Sequence, residues 1–343
     1  MKRTLSAYGY DTFALSSTGS QLYYLNQQSS TLAATSPPSS PTILNTAATG
    51  QLNSAAYDAT NNLLLVADTA NNIEVLDAAT FETAGHLFIP LLTDTNPYLT
   101  AGGGSGFATM DGNVPQVVQF DPVSREVTGT VSLPNRANYL VSYSQPVMDG
   151  STLYVPFTFT FNGAQAGLAG SASAPASVPK NGVDVIDTQQ MKVVATWPFN
   201  ALPLLGLTPG GSVAYAVVPV ANQALDLDEI NLSTGQIIAH VQIPNPSLTY
   251  SNPAVSPDGS TIYVSTNNTL YTFNAQTLAI THTVAGIGLT SLTVSPGGNY
   301  LYGGTPVPCQ ECSEQIVSTS SLQVIGTIPV SSAYPEPVLF LDK

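Results

Sequence analysis

Val255-Ser256-Pro257-Asp258-Gly259-Ser260-Thr261-Ile262-Tyr263-Val264-Ser265-Thr266-Asn267 reads as the end of one strand, a turn and the whole of the next strand. Pro presets φ, and Asp-Gly supplies a residue that tolerates positive φ, so the middle of the stretch is a hairpin turn. The β-branched and aromatic run after it is strand-forming. Close copies are Leu207-Thr208-Pro209-Gly210-Gly211-Ser212 before Val213-Ala214-Tyr215, and Val294-Ser295-Pro296-Gly297-Gly298-Asn299 before Tyr300-Leu301-Tyr302. Weaker copies precede Gln21-Leu22-Tyr23 and Thr152-Leu153-Tyr154.

A second pattern runs out of phase with the first: an apolar strand ending in a small polar residue, a short polar turn, then another apolar strand. Its anchors are Asp77, Asp121, Asp187, Asn231, Asn274 and Ser318, separated by 44, 66, 44, 43 and 44 residues. Asp and Asn at such points hydrogen-bond their own backbone two residues on, which gives them a turn role. A seventh anchor is expected near Ala33, one period before Asp77, on a poor copy of the pattern.

Together the patterns give four strands per repeat and no long amphipathic helix. Four-stranded units of 40 to 50 residues are propeller blades. The expectation is therefore an all-β chain, one β-propeller domain over residues 1–343, with seven four-stranded blades and a ring closed between N- and C-terminal strands. Eight blades is the alternative. The stretch 255–267 resembles the YVTN family of propeller repeats, found in archaeal and bacterial surface-layer and cell-envelope proteins. The likeness covers nearly the whole chain. It implies the fold and a place at the cell exterior, and it names no activity.

Composition agrees with that placement. Of the 343 residues 8% are charged and 43% hydrophobic, against roughly 25% charged in an ordinary soluble protein. Lys and Arg number 7 and Asp and Glu 21, for a net charge of −14. Nucleic-acid binding needs a basic stripe to neutralise phosphates, and these seven cations are scattered. No apolar run reaches the 18 or so residues of a transmembrane helix. Met1-Lys2-Arg3 is followed by no apolar signal-peptide core, so the expectation is an extracellular or cell-surface protein whose signal is not in this chain, with the periplasm as the alternative.

The repeat's exceptions are where a site is expected. Insertions between second and third strands run from about 158 to 181, from 304 to 314 and from 218 to 223, all on one face of a propeller. Loops on a rigid scaffold commonly carry function, so Phe161, Asn162, Gln165, Gln310 and Glu311 are binding candidates. Cys309 and Cys312 form the single Cys-x-x-Cys. With no second pair for zinc, it reads as a local disulfide in an exported protein. His86, His240 and His282 fall at matching points of the fourth strand in three blades, on the rim and away from the axis. That leaves no histidine for acid–base or metal chemistry in the channel. Asp226 and Asp228 share a strand face and are the weak candidates for a Ca²⁺ ion, the one cofactor considered.

The residues lean against an enzyme. The first functional reading is a non-enzymatic binding or structural protein of the cell surface (an adhesin, envelope-layer or filament component). Its partner would be a protein or glycan of the envelope, or another copy of itself. The alternatives are a propeller hydrolase of lactonase type or a lyase with an acidic or metal site at the channel mouth, and a periplasmic interaction or sensor module.

Overall fold

The strand-forming residues on either side of each turn build sheets. The computed structural model describes residues 11–16, 22–26, 31–35, 43–48, 52–68, 72–80, 82–89, 97–110, 115–134, 139–161, 179–220, 224–244, 249–266, 268–305, 313–329 and 335–341. Every regular element among these residues is a strand, and no helix there is long and apolar enough to cross a membrane.

The chain opens with β1 (Asp11–Ser16), β2 (Leu22–Asn26), β3 (Thr31–Thr35) and β4 (Ile43–Ala48), an antiparallel meander. The next sheet is β5 (Leu52–Asp58), β6 (Leu63–Asp68), β7 (Asn72–Asp77) and β8 (Thr83–Phe88). It is followed by β9 (Tyr98–Gly102), β10 (Ser105–Met110), β11 (Gln116–Asp121) and β12 (Glu126–Ser132). The fourth sheet holds β13 (Tyr139–Tyr143), β14 (Val147–Asp149), β15 (Thr152–Phe161), β16 (Asn181–Asp187) and β17 (Lys192–Phe199). Then come β18 (Leu204–Leu207), β19 (Val213–Pro219), β20 (Leu225–Asn231) and β21 (Ile237–Ile243), and β22 (Ala254–Val255), β23 (Thr261–Thr266), β24 (Thr269–Asn274) and β25 (Ile280–Ala285). The last meander is β26 (Thr290–Val294), β27 (Tyr300–Gly304), β28 (Ser313–Ser318) and β29 (Gln323–Pro329). Finally β30 (Pro335–Leu341) lies parallel to β1.

Each anchor residue ends the third strand of its sheet, on β7, β11, β16, β20, β24 and β28, and its side chain caps the turn that follows. Asp77 Oδ1 accepts the N–H groups of Ala79 and Thr80, and Asp121 those of Val123 and Ser124. Asp187 takes those of Gln189 and Gln190, Asn231 those of Ser233 and Thr234, and Asn274 those of Gln276 and Thr277. These backbone donors hold the Asp121 carboxyl below its ordinary range. Four residues past the anchor the chain turns left-handed at Arg125, Met191, Gly235, Leu278 and Leu322. A one-residue register shift recurs just before the anchor in all six of the sheets that carry one, as between Val185 and Ile186.

The other turn also follows its sequence. Ser256 N–H donates to Thr261 O at 2.8 Å, Gly259 N–H to Ser256 O at 2.8 Å, and Thr261 N–H to Ser256 Oγ at 2.9 Å. Gly259 sits at φ +69° and Gly298, its counterpart, at φ +72°.

Neighbouring sheets pack face to face. Residues of the third strands β7, β11, β16, β20, β24 and β28 are buried or half-buried throughout, and in five of these sheets the residue four before the anchor clusters with the following sheet. Ile73 meets Leu99, Ala108 and Met110. Val117 joins Val141 and Leu153, Val183 joins Ala214 and Ala216, Leu227 joins Ile262 and Val264, and Leu270 joins Leu289, Leu292 and Leu301. Polar contacts also cross between sheets: Leu99 N–H donates to Ser54 Oγ and Leu289 N–H to Ser265 Oγ, each at 2.9 Å, and the Tyr215 hydroxyl donates to Ala275 O at 2.8 Å. The first strands touch in succession, β5 to β9, β9 to β14, β14 to β18, β18 to β22 and β22 to β26.

Three expectations need correction. Not every sheet has four strands: β30 adds a fifth to the N-terminal meander, and the first strand of the β13–β17 sheet is broken in two. The break falls at Ser144-Gln145-Pro146, where Pro146 has no N–H to give to the ladder. The 158–181 insertion begins later than read, because Phe157-Thr158-Phe159-Thr160-Phe161 alternates as a strand and extends β15, pairing with β13. The 304–314 insertion ends earlier, because Ser313 and Glu314 already belong to β28.

Since Asn231 and Asn274 cap as well as the aspartates do, Asp187→Asn should leave stability within about 0.5 kcal/mol. Asp187→Ala should lower it by about 1 kcal/mol by orphaning the two N–H groups. Denaturant unfolding of both variants checks this, and equal losses would show that the side-chain cap contributes nothing.

Candidate functional site

The first strands bring together residues that lie far apart in the sequence. Between β9, the break after β13, β18, β22 and β26 lies a cavity of about 460 Å³. Its polar lining comes from Tyr98, Ser144, Gln145, Tyr250, Asn252, Thr290, Ser291 and Thr293, and its apolar lining from residues such as Val147, Leu204, Leu207 and Val255. No acid, base, histidine or cysteine is among the lining residues.

Two amides on this wall are oriented by the scaffold. Gln145 Nε2 donates to Leu99 O at 3.4 Å, and Asn252 Nδ2 donates to Leu292 O at 2.9 Å. With their NH₂ groups turned to neighbouring strands, the amides leave their carbonyl oxygens as acceptors. Ser291 holds φ 53° beside the register shift between Thr290 and Thr293, a left-handed conformation that ordinary residues adopt at a cost. Burial pushes the Tyr250 phenol above its ordinary range. The wall therefore offers hydroxyls, amide oxygens and aromatic and aliphatic surface, a set suited to hydrogen-bonding a neutral polar molecule.

None of the sequence-read candidates is among these lining residues. Asn162, Gln165, Cys309, Gln310, Glu311 and Cys312 fall outside the described residues. Phe161 closes β15, where its backbone pairs with Tyr139. His86, His240 and His282 sit exposed on the fourth strands β8, β21 and β25, opposite Glu74, Asp228 and Thr272.

Asp226 and Asp228 do share a face of β20, but Asp228 is 7% exposed. Burial first, and the Asp226 charge second, raise its carboxyl to about 6, partly offset by His240. Among the described residues no group of three or more His, Cys, Asp or Glu could hold a metal ion. Asp184, at the matching place on β16, is 1% exposed and accepts one hydrogen bond, from Thr196 Oγ1 at 2.6 Å. Burial raises it to about 6.

No protein-family model matches the sequence, and no curated protein matches it. Solved structures do. A chain of hydrazine synthase from Kuenenia stuttgartiensis is 14% identical with a TM-score of 0.64, over 94% of this chain and 98% of that one. The β-propeller domain of Cps50 (Swd1) from Myceliophteria thermophila is 13% identical with a TM-score of 0.59, over 88% and 93%. The dihydro-heme d1 dehydrogenase NirN, solved in complex with DHE, is 12% identical with a TM-score of 0.62, over 96% of this chain and 68% of that one. Likeness at this identity shows the fold alone, and that fold is a β-propeller.

The raised Asp184 has a consequence for stability. A carboxyl whose folded value lies above its unfolded value stabilises the fold fully below about pH 4 and loses that contribution as pH rises to about 6. The shift corresponds to about 3 kcal/mol at most. Asp184→Asn keeps an acceptor for Thr196, so its melting temperature should match wild type at pH 4 and exceed it at pH 7.5. Thermal melts across that range decide, and a variant less stable than wild type at pH 7.5 would contradict the assignment.

Proposed function

We propose that this chain is a non-catalytic binding protein of the cell exterior that takes an uncharged, hydroxyl-rich ligand, such as a neutral glycan, in its central channel. The observation that carries the proposal is the channel wall itself, with eight uncharged polar residues and no acid, base or histidine among its lining. Acid–base catalysis needs a titratable group within reach of the reacting atoms, and the histidines are on the outer strands instead. The low charge of the chain and its YVTN-like repeat support the placement outside the cell. In the same reading Cys309 and Cys312 form a local disulfide.

The scaffold in this proposal is a closed ring of seven blades. Support comes from β30, which pairs with β1 while packing against β26 and β27 on one side and β5 on the other. It thereby continues the succession of inner strands. Self-assembly is a second reading, favoured by the rim. Val127, Val194, Ile237, Ile238, Ile280, Val324 and Ile325 are exposed on the outermost strands, each paired on one side only, and such edges can template pairing with another chain.

A glycan array probed with the full chain tests the proposal. Neutral oligosaccharides should be retained, and Gln145→Ala or Asn252→Ala should weaken binding about tenfold, the worth of a lost hydrogen bond. His240→Ala should change nothing. Absence of any glycan binding, or binding indifferent to the channel variants, would sink it. Sedimentation of the same sample as a concentration-dependent oligomer would favour the rim reading.

A further inference from the structure

At the residue four before the anchor, five sheets place Ile73, Val117, Val183, Leu227 and Leu270, each packed on the sheet that follows. The corresponding residue of β28 is Glu314. Strand periodicity points it the same way, at the sheet formed by β30 and β1–β4. It is 0% exposed, and neither carboxyl oxygen has a hydrogen-bond partner. We infer that Glu314 is a proton-held latch on the seam where the ring closes: neutral, it lets the last blade pack on β30 and the first, and its ionisation loosens that seam.

Among the described residues no cation lies on the strands around it. On its own sheet the titratable groups are Tyr300 and Tyr302, both on β27, and neither is a cation. Strand β29 carries none, and the residue opposite Glu314 on β27 is Gly304. The strands across the seam carry Asp11 on β1, Tyr23 and Tyr24 on β2 and Glu336 on β30, acids and phenols with no cation among them. A buried carboxylate without a cation or donors is far costlier than the neutral acid. Burial accordingly pushes Glu314 well above the ordinary glutamate range. In the unfolded or opened chain the group returns to that ordinary range. The latch is therefore held below it and released as pH rises past it.

The inference rests on the closed-ring reading, and the test separates the two. Hydrogen exchange is followed in the full chain at pH 4 and pH 7.5, corrected for intrinsic rates. In wild type, opening of β28 and β30 should increase at the higher pH by roughly tenfold for each unit by which the acid is shifted. Glu314→Gln should remove that increase. Glu314→Leu, the residue type of positions 227 and 270, should remove it and also slow opening at pH 7.5. Asp184→Asn should keep the β30 response. A protected β30 whose opening ignores pH, or a response that persists in Glu314→Gln, overturns the latch alone. A β30 that exchanges freely at both pH values overturns ring closure, and the latch with it.

Discussion

Sheets stacked between two neighbours have to bury both faces, and that constraint governs the rest of this molecule. It explains why the third strands bury side chains on both sides, as Val183, Val185 and Ile186 do on β16, and why the chain can tolerate so few charges. Each buried apolar side chain contributes about 1.5–3 kcal/mol relative to exposure. An acid at such a place survives only as a neutral group or with good partners. Asp184 has one partner, Asp228 has a histidine opposite, and Glu314 has neither. The acids that break the pattern are therefore also the groups through which pH reaches the fold.

The repeat was legible because it is local. Asp77, Asp121, Asp187, Asn231, Asn274 and Ser318 each end a third strand, since a capping side chain acts within three residues of itself and leaves a mark in one dimension. The turn at Pro257-Asp258-Gly259 was legible for the same reason. Features that depend on a neighbour were not. The break at Ser144-Gln145-Pro146 looks like a loop until β15 is seen to pair on both sides of it. The extra reach of β15 to Phe161 looked like part of an insertion. Glu314 seemed a loop residue because its blade context, five apolar counterparts in register, requires the strand boundary to be known first.

The candidate site was least legible. Tyr98, Gln145, Tyr250, Asn252 and Thr290 share no motif, and only the convergence of inner strands makes them one surface. Insertions are visible as breaks in a sequence period, whereas a wall assembled from several inner strands leaves no such mark. The histidines do fall on exposed fourth strands, as a spacing that repeats with the scaffold implies. What distinguishes the cavity is its chemistry: hydroxyls and oriented amides, with no charge to move a proton or hold a metal among the lining residues. That character suits recognition of a neutral ligand, while the exposed valines and isoleucines of the rim offer a separate means of meeting other chains.

An experimental structure of the whole chain tests the central claim most directly. The account predicts seven sheets about one axis, β30 lying between β26 and β5, and a channel walled by uncharged side chains. An open ring or an eighth sheet would contradict it, as would carboxylates, histidines or a metal ion converging on the axis.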